Sequence, residues 1–194
     1  MLPSRRCWHP CRMTKGTITR LVIDASVARS AGSVNALDTL SITCRHLLIA
    51  IRSKHRVLVM TPEISKEWRK HASQFAIEWW SSMVAAKKVD YIRLDEWTDL
   101  WAEIEACASR KGIIAIGQLP GMQKDFHLIR AALQTDKTII SRDNKARNPY
   151  SRACARVQQL RDILWMDVSS DKVAEWIQGG ALLATARRLH NAEE

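Results

Sequence analysis

No stretch of this chain approaches the roughly 18 to 20 consecutive apolar residues that a membrane-spanning helix needs, so no transmembrane segment is expected. The first residues have the arginines of a secretory leader but lack the apolar run that should follow them. A cytoplasmic protein is the expectation. Cysteine is scarce and odd in number, five without framework spacing, which argues against a disulfide scaffold and for reduced thiols. Cys7, His9 and Cys11 stand close together, but a structural zinc site takes four ligands and no second pair follows at finger-like spacing. Internal repeats and low-complexity segments are absent as well.

What is present fits one α/β domain with appendages. The 194 residues are enough to bury a proper core, and 46% hydrophobic with 26% charged residues is the usage of a folding chain rather than a disordered one. The net charge of +10 is unevenly placed, because Arg5, Arg6, Arg12, Lys15 and Arg20 stand in a stretch with no acid and supply half of it. Residues 1–19 therefore read as a basic extension, with Met13 a candidate alternative start. The remainder is moderately basic, enough to attract polyanions without identifying one.

Four apolar runs read as buried strands: Arg20 to Asp24, Arg56 to Met60, Lys137 to Ser141 and Ile163 to Asp167, with a short fifth run at Val89 to Arg93. Helical spacing appears over Asn35 to Ile51, from Thr61-Pro62 through Trp68, over Gln123 to Gln134 after Gly121, over Ser151 to Leu160 after Asn148-Pro149, and after Ser169-Ser170 up to Gly179-Gly180. Thr61 is the expected cap and Pro62 the expected first helical residue. Strands alternating with helices predict a three-layer α/β/α fold whose central sheet of four to five strands is mainly parallel. The domain is expected over residues 20–168, with 169–194 a helical segment packed on it. Ligands of such folds bind beyond the C-terminal strand edges, and Asp24 and Asp143 both fall there.

Four segments then resemble one family. LVIDASV carries Asp24 and Ser26, TPEISKEW carries Glu67, KDFHLIRAAL carries Asp125, and TIISRDNKAR carries Ser141, Asp143 and Asn144. In order and relative spacing, over roughly residues 20 to 168, they resemble the PIN-domain ribonucleases, which include the VapC-type toxins of toxin–antitoxin modules. The resemblance implies that Asp24, Glu67, Asp125 and Asp143 bind Mg2+ or Mn2+ and carry catalysis, with Ser26, Ser141 and Asn144 in support. Asn144 stands where some relatives have a further acid. The resemblance also implies RNA as substrate, a homodimer and an inhibitory antitoxin partner. Carboxylates suit the chemistry: unit charges about 4 Å apart repel by roughly 4 kcal/mol at an effective dielectric of about 20, so a tight group calls for a cation. Hard oxygens favour Mg2+ or Mn2+ over zinc.

Each acid has a structural reading beside the functional one. Asp24 and Asp143 could cap turns, and Asp125, in a first helical turn, could answer the helix dipole. Glu63 takes that dipole role better than Glu67, which makes Glu67 the metal-site choice. His71 and His127 could polarise water, though a lone helical histidine is more often inert. Arg142, Lys145 and Arg147 flank Asp143 and could hold phosphates. Trp97 and Trp101, four apart, read as packing more than as base-stacking platforms, and Trp79-Trp80 as a candidate exposed partner surface. A dehalogenase-like phosphatase would want an acid at Ser26, and a phospho-acceptor domain a lysine after a late strand. The expectation is a metal-dependent endoribonuclease, with an RNA- or partner-binding PIN-like protein that does not cleave as the alternative.

Overall fold

The computed structural model describes residues 18–111, 113–184 and 187–191. Cys7, His9, Cys11, Met13 and most of the basic extension lie outside the described residues.

The apolar runs form a five-stranded, all-parallel sheet in the order β3-β2-β1-β4-β5. Its strands are β1 (Arg20–Ile23), β2 (Val57–Met60), β3 (Val89–Tyr91), β4 (Thr138–Ser141) and β5 (Leu164–Asp167). Leu21, Val22 and Ile23 have no exposed surface, and every residue of β4 and β5 is buried. Burial on both faces is why these strands read as continuous apolar runs rather than as alternation. The register sets Ile23 beside Ile140, so β4 ends one residue beyond β1 and places Ser141 level with Asp24. At its other end β1 is pinned by the Asp136 carboxylate, which accepts from the amides of Thr19 and Arg20 at 2.8 and 2.9 Å.

Among the described residues eight α-helices complete an α/β/α sandwich: α1 (Ala25–Ser30), α2 (Thr39–Ser53), α3 (Pro62–His71), α4 (Gln74–Ala85), α5 (Thr98–Lys111), α6 (Leu119–Leu133), α7 (Asn144–Ala153) and α8 (Val173–Gln178). α2 packs against α4 and α8, while α6 lies on β1 and β4 with α7 beside it. Ile18 is buried, and its amide donates to Ala181 past the end of α8. The strand order runs outward through β2 and β3, then resumes on the other side with β4 and β5. Its reversal point is therefore the β1–β4 pair.

Several helix boundaries differ from the sequence expectation, each for a local reason. α2 starts at Thr39 because the Asp38 side chain caps it, accepting from the Ser41 amide at 2.9 Å, and Leu37 is left exposed. α6 starts at Leu119, with Pro120 in its first turn where a missing N–H costs nothing, so Gly121 falls inside the helix. α7 starts at Asn144 on an Asp143 cap and carries Pro149 within it. Neither Ser169 nor Ser170 caps α8; its N-cap is Lys172, in the left-handed region at φ 47°. Thr61 and Pro62 open α3 as expected, with the threonine hydroxyl accepting from the Ile64 amide at 3.2 Å.

Trp68, Trp79, Trp80 and Trp101 are structural. Trp79 is buried and donates to the Leu48 carbonyl at 2.6 Å, and Trp80 meets Trp68 edge-on at 5.8 Å, so this pair serves the core rather than a partner surface. Trp101 packs on Phe126 with ring centroids 5.2 Å apart, joining α5 to α6.

Candidate active site

Asp24 follows β1 directly. Its backbone is the N-cap of α1, yet its carboxylate makes no capping hydrogen bond. Instead Oδ2 accepts from two hydroxyls, Ser26 Oγ at short range and Ser141 Oγ at 2.7 Å. Each serine also accepts from the turn after β4: Ser26 Oγ from the Arg142 amide at 3.1 Å, Ser141 Oγ from the Asp143 amide at 2.9 Å. The two hydroxyls thus lace the end of β1 to the end of β4. They fix the direction of the Asp24 carboxylate, and the turn-capping reading of Asp24 fails.

Glu67 arrives on α3, whose Ile64 and Trp68 are buried while Glu63, Lys66, Glu67, Lys70 and His71 face a cleft. The indole Nε1 of Trp68 donates to the Ile23 carbonyl at 3.0 Å. That buried bond joins the neighbours of Glu67 and Asp24. Asp125 arrives on α6 as its seventh residue, almost two turns in, where the helix dipole has faded. The dipole reading therefore loses its basis. Tyr150 Oη donates to the Met122 carbonyl at 2.5 Å, fastening α7 to the turn of α6 before Asp125.

Asp143 does have a structural duty, since its Oδ1 accepts from the Ala146 amide at 3.1 Å and caps α7. Its side chain is exposed, and Oδ2 makes no hydrogen bond among the described residues. One oxygen is engaged in the cap; among the described residues the other has no hydrogen bond.

All four acids line a single cleft of about 500 Å3 beyond the C-terminal ends of β1 and β4. Among the described residues, however, no three His, Cys, Asp or Glu side chains form a group that could hold a metal ion. The donors are hard oxygens, which suit Mg2+ or Mn2+ in kind. Mg2+ commonly keeps several waters and takes only one or two carboxylates, so the set fits a hydrated ion rather than a closed cage. Electrostatics point the same way. Burial and then the Asp24 charge, with Glu67 contributing, push the Asp125 carboxyl up to about 6. A nearby cation would relieve that repulsion.

No family model matches the chain, and no curated protein matches it in sequence. The cleft must be read from its own residues.

The rim is basic. Arg29 on α1, Lys66 and Lys70 on α3 and Lys124 on α6 surround the acids. Sequence reasoning did not select them; the signal was their spacing, since Glu63, Lys66, Glu67, Lys70 and His71 share one face of a helix. The three basic residues chosen from proximity to Asp143 are placed differently. Arg142 turns back to donate to Ser30 Oγ, and neither it nor Arg147 lines the cleft. Lys145 lines an adjoining depression that shares Asp125, Asp143 and Ala146 with the cleft. Asn144 donates to the buried Asp167 at 2.8 Å, which ties α7 to β5 and takes its amide away from the acids.

His127, weighed in the sequence as a histidine more often inert, is placed at the acids. It is 7% exposed, lines the cleft and lies 3.5 Å from Glu67 through Nε2, an ion-pair distance longer than a normal hydrogen bond. Burial opposes its protonation, but the Glu67 carboxylate and the Lys124 carbonyl outweigh that and raise its pKa. Reciprocally, the His127 ring holds Glu67 below the usual carboxylate range. On sequence grounds it looked like one histidine on an apolar helix face.

Proposed function

We propose that this chain is a divalent-metal-dependent endoribonuclease of the PIN type, hydrolysing RNA phosphodiester bonds at the cleft. The observation that carries the reading is the meeting of Asp24, Glu67, Asp125 and Asp143, from four separate elements, in one cleft at the sheet's reversal point. Each acid is separated from the next by more than 15 residues of chain, so local sequence cannot account for the meeting.

Asp24, Asp125 and Glu67 are the residues that would hold Mg2+ or Mn2+, with the free oxygen of Asp143 at the edge. A bound ion would lower the pKa of an attacking water and stabilise charge on the phosphate. The chain's own contributions are orientation and charge. Ser26 and Ser141 aim Asp24; Trp68 sets α3, and with it Glu67, against β1; Tyr150 sets α7 against α6. Arg29, Lys66, Lys70 and Lys124 offer point charges to the phosphates on either side of the reacting one. The depression beyond Asp125 and Asp143 continues the cleft past the acids. A strand lying across them need not end there, which supports internal rather than terminal cleavage.

The test is total RNA incubated with the protein in Mg2+, Mn2+ or chelator, followed by mapping of the cut ends. Wild type should cleave only with metal, and Asp24→Asn should lose at least about 100-fold while keeping its fold. Equal cleavage by both would refute the site. The toxin role and an antitoxin partner belong to the same proposal. Growth arrest on expression of wild type but not of Asp24→Asn supports them; unaffected growth with intact RNA cleavage favours a maintenance nuclease.

One observation favours a second reading, an RNA- or partner-binding protein without cleavage. No three-donor group exists among the described residues, and Asp143 gives one oxygen to the α7 cap. RNA binding with no cleavage under any metal condition would select it. Among the described residues no helix is long and apolar enough to cross a membrane.

A further inference from the structure

His127 carries an unanswered feature. Its Nδ1 lies 2.9 Å from the Lys124 carbonyl oxygen, and a carbonyl only accepts, so the Nδ1 proton is fixed there. That leaves Nε2 as the variable nitrogen. It is buried and has no hydrogen-bond partner, a rare condition for a buried polar atom. It faces Glu67 Oε2 at 3.5 Å from a side chain that lines the cleft.

This is the arrangement of a metal-binding imidazole. Such a ring donates its far N–H to a backbone carbonyl or carboxylate, which sets the tautomer and directs the other nitrogen at the ion. The spacing agrees as well. Two donors each about 2.1 Å from one ion stand roughly 3.0 to 3.4 Å apart, close to the observed 3.5 Å. A direct hydrogen bond would sit near 2.9 Å.

We propose that Glu67 and His127 together ligate one divalent ion in the cleft, giving it an imidazole nitrogen and a preference for a first-row transition ion over Mg2+. The proposal rests on the metal-dependent reading of the same cleft and departs from an all-oxygen ligand set. Imidazole suits borderline ions, whereas carboxylate and water suffice for Mg2+. No third His, Cys, Asp or Glu completes the group among the described residues. The remaining positions are open to water or to a substrate oxygen, as a catalytic ion requires.

The experiment uses the full chain with Mn2+ as a paramagnetic probe. Binding is followed by loss of the free-ion resonance, Mg2+ is the competitor, and pulsed spectroscopy of the bound ion looks for histidine nitrogen coupling. Wild type should show the coupling. His127→Gln, which keeps a polar group beside Glu67, should lose it and bind Mn2+ about tenfold or more weakly, with Mg2+ affinity changed less than about threefold. His71 also lines the cleft, so His71→Asn should retain the coupling. Mn2+ bound without nitrogen coupling, or coupling lost in His71→Asn, overturns the proposal and leaves an all-carboxylate metal site standing. Failure of wild type to bind either ion overturns both. The wild-type spectrum decides even if His127→Gln does not fold.

Discussion

Replacing Asp125 by asparagine should make the metal-free protein more stable while removing its activity. The carboxyl is displaced from 3.8 to about 6 by burial and by the charges of Asp24 and Glu67. Because the folded-state value lies above the unfolded one, Asp125 adds stability that is full below about pH 4 and is lost as pH rises through about 6. At pH 8 the native state carries an anion that its surroundings disfavour by about 3 kcal/mol before solvent screening. Asp125 is only partly buried, so roughly half of that, about 1.5 kcal/mol, is a realistic gain for Asp125→Asn. In a chain of this size it corresponds to a Tm rise of about 3–6 °C. At pH 4.5 the wild-type carboxyl is largely protonated when folded, and the advantage should shrink to about a third. Thermal melts of both proteins in chelator at the two pH values measure it. Adding Mn2+ should stabilise wild type more than the variant. A gain of the same size at both pH values, or none at pH 8, would show that Asp125 feels no repulsion from its neighbours, and the acidic cleft would lose its physical basis.

Three further changes probe the scaffold. Trp68→Phe removes the hydrogen bond to the Ile23 carbonyl and part of the ring packed on Trp79 and Trp80; urea titration should show a loss of about 2–3 kcal/mol. Ser141→Ala frees Asp24 on one side and leaves the Asp143 amide without its acceptor, and metal-dependent cleavage should fall about 10- to 100-fold with the fold retained. Thr61→Ala removes the α3 cap and should cost about 1 kcal/mol in the same urea assay, with a smaller effect on cleavage.

The sheet was legible because its strands are buried on both faces and so appear as unbroken apolar runs closed by polar residues. Helix boundaries were less so. The Asp38 and Asp143 caps act through a single side-chain oxygen, which sequence shows only as one acid among many. Asp24 and Asp143 could be paired from strand ends alone. Asp125 and Glu67 depended on resemblance, and their placement in the same cleft is visible only in three dimensions. Lys66 and Lys70 could have been found from the shared helix face with Glu67. His127 could be named as a candidate but not ranked, because its tautomer is set by the Lys124 carbonyl and its other nitrogen lies beside a residue on another helix. The reach for Arg142 and Arg147 failed because adjacency in the chain does not set direction: a turn places successive side chains on different sides.

The bonds from Trp68 to the Ile23 carbonyl and from Tyr150 to the Met122 carbonyl join elements that carry the acids, α3 to β1 and α7 to α6, without touching any acid. Shape and charge are thereby written in different residues. A chain with Asp24, Glu67 and Asp125 all made amide would keep the outline of the cleft and its basic rim while losing the negative charge that repels a phosphate backbone. If the cleft cuts RNA as proposed, such a cast should retain RNA that the active protein would cleave and release, and sequencing what it retains would identify the substrate.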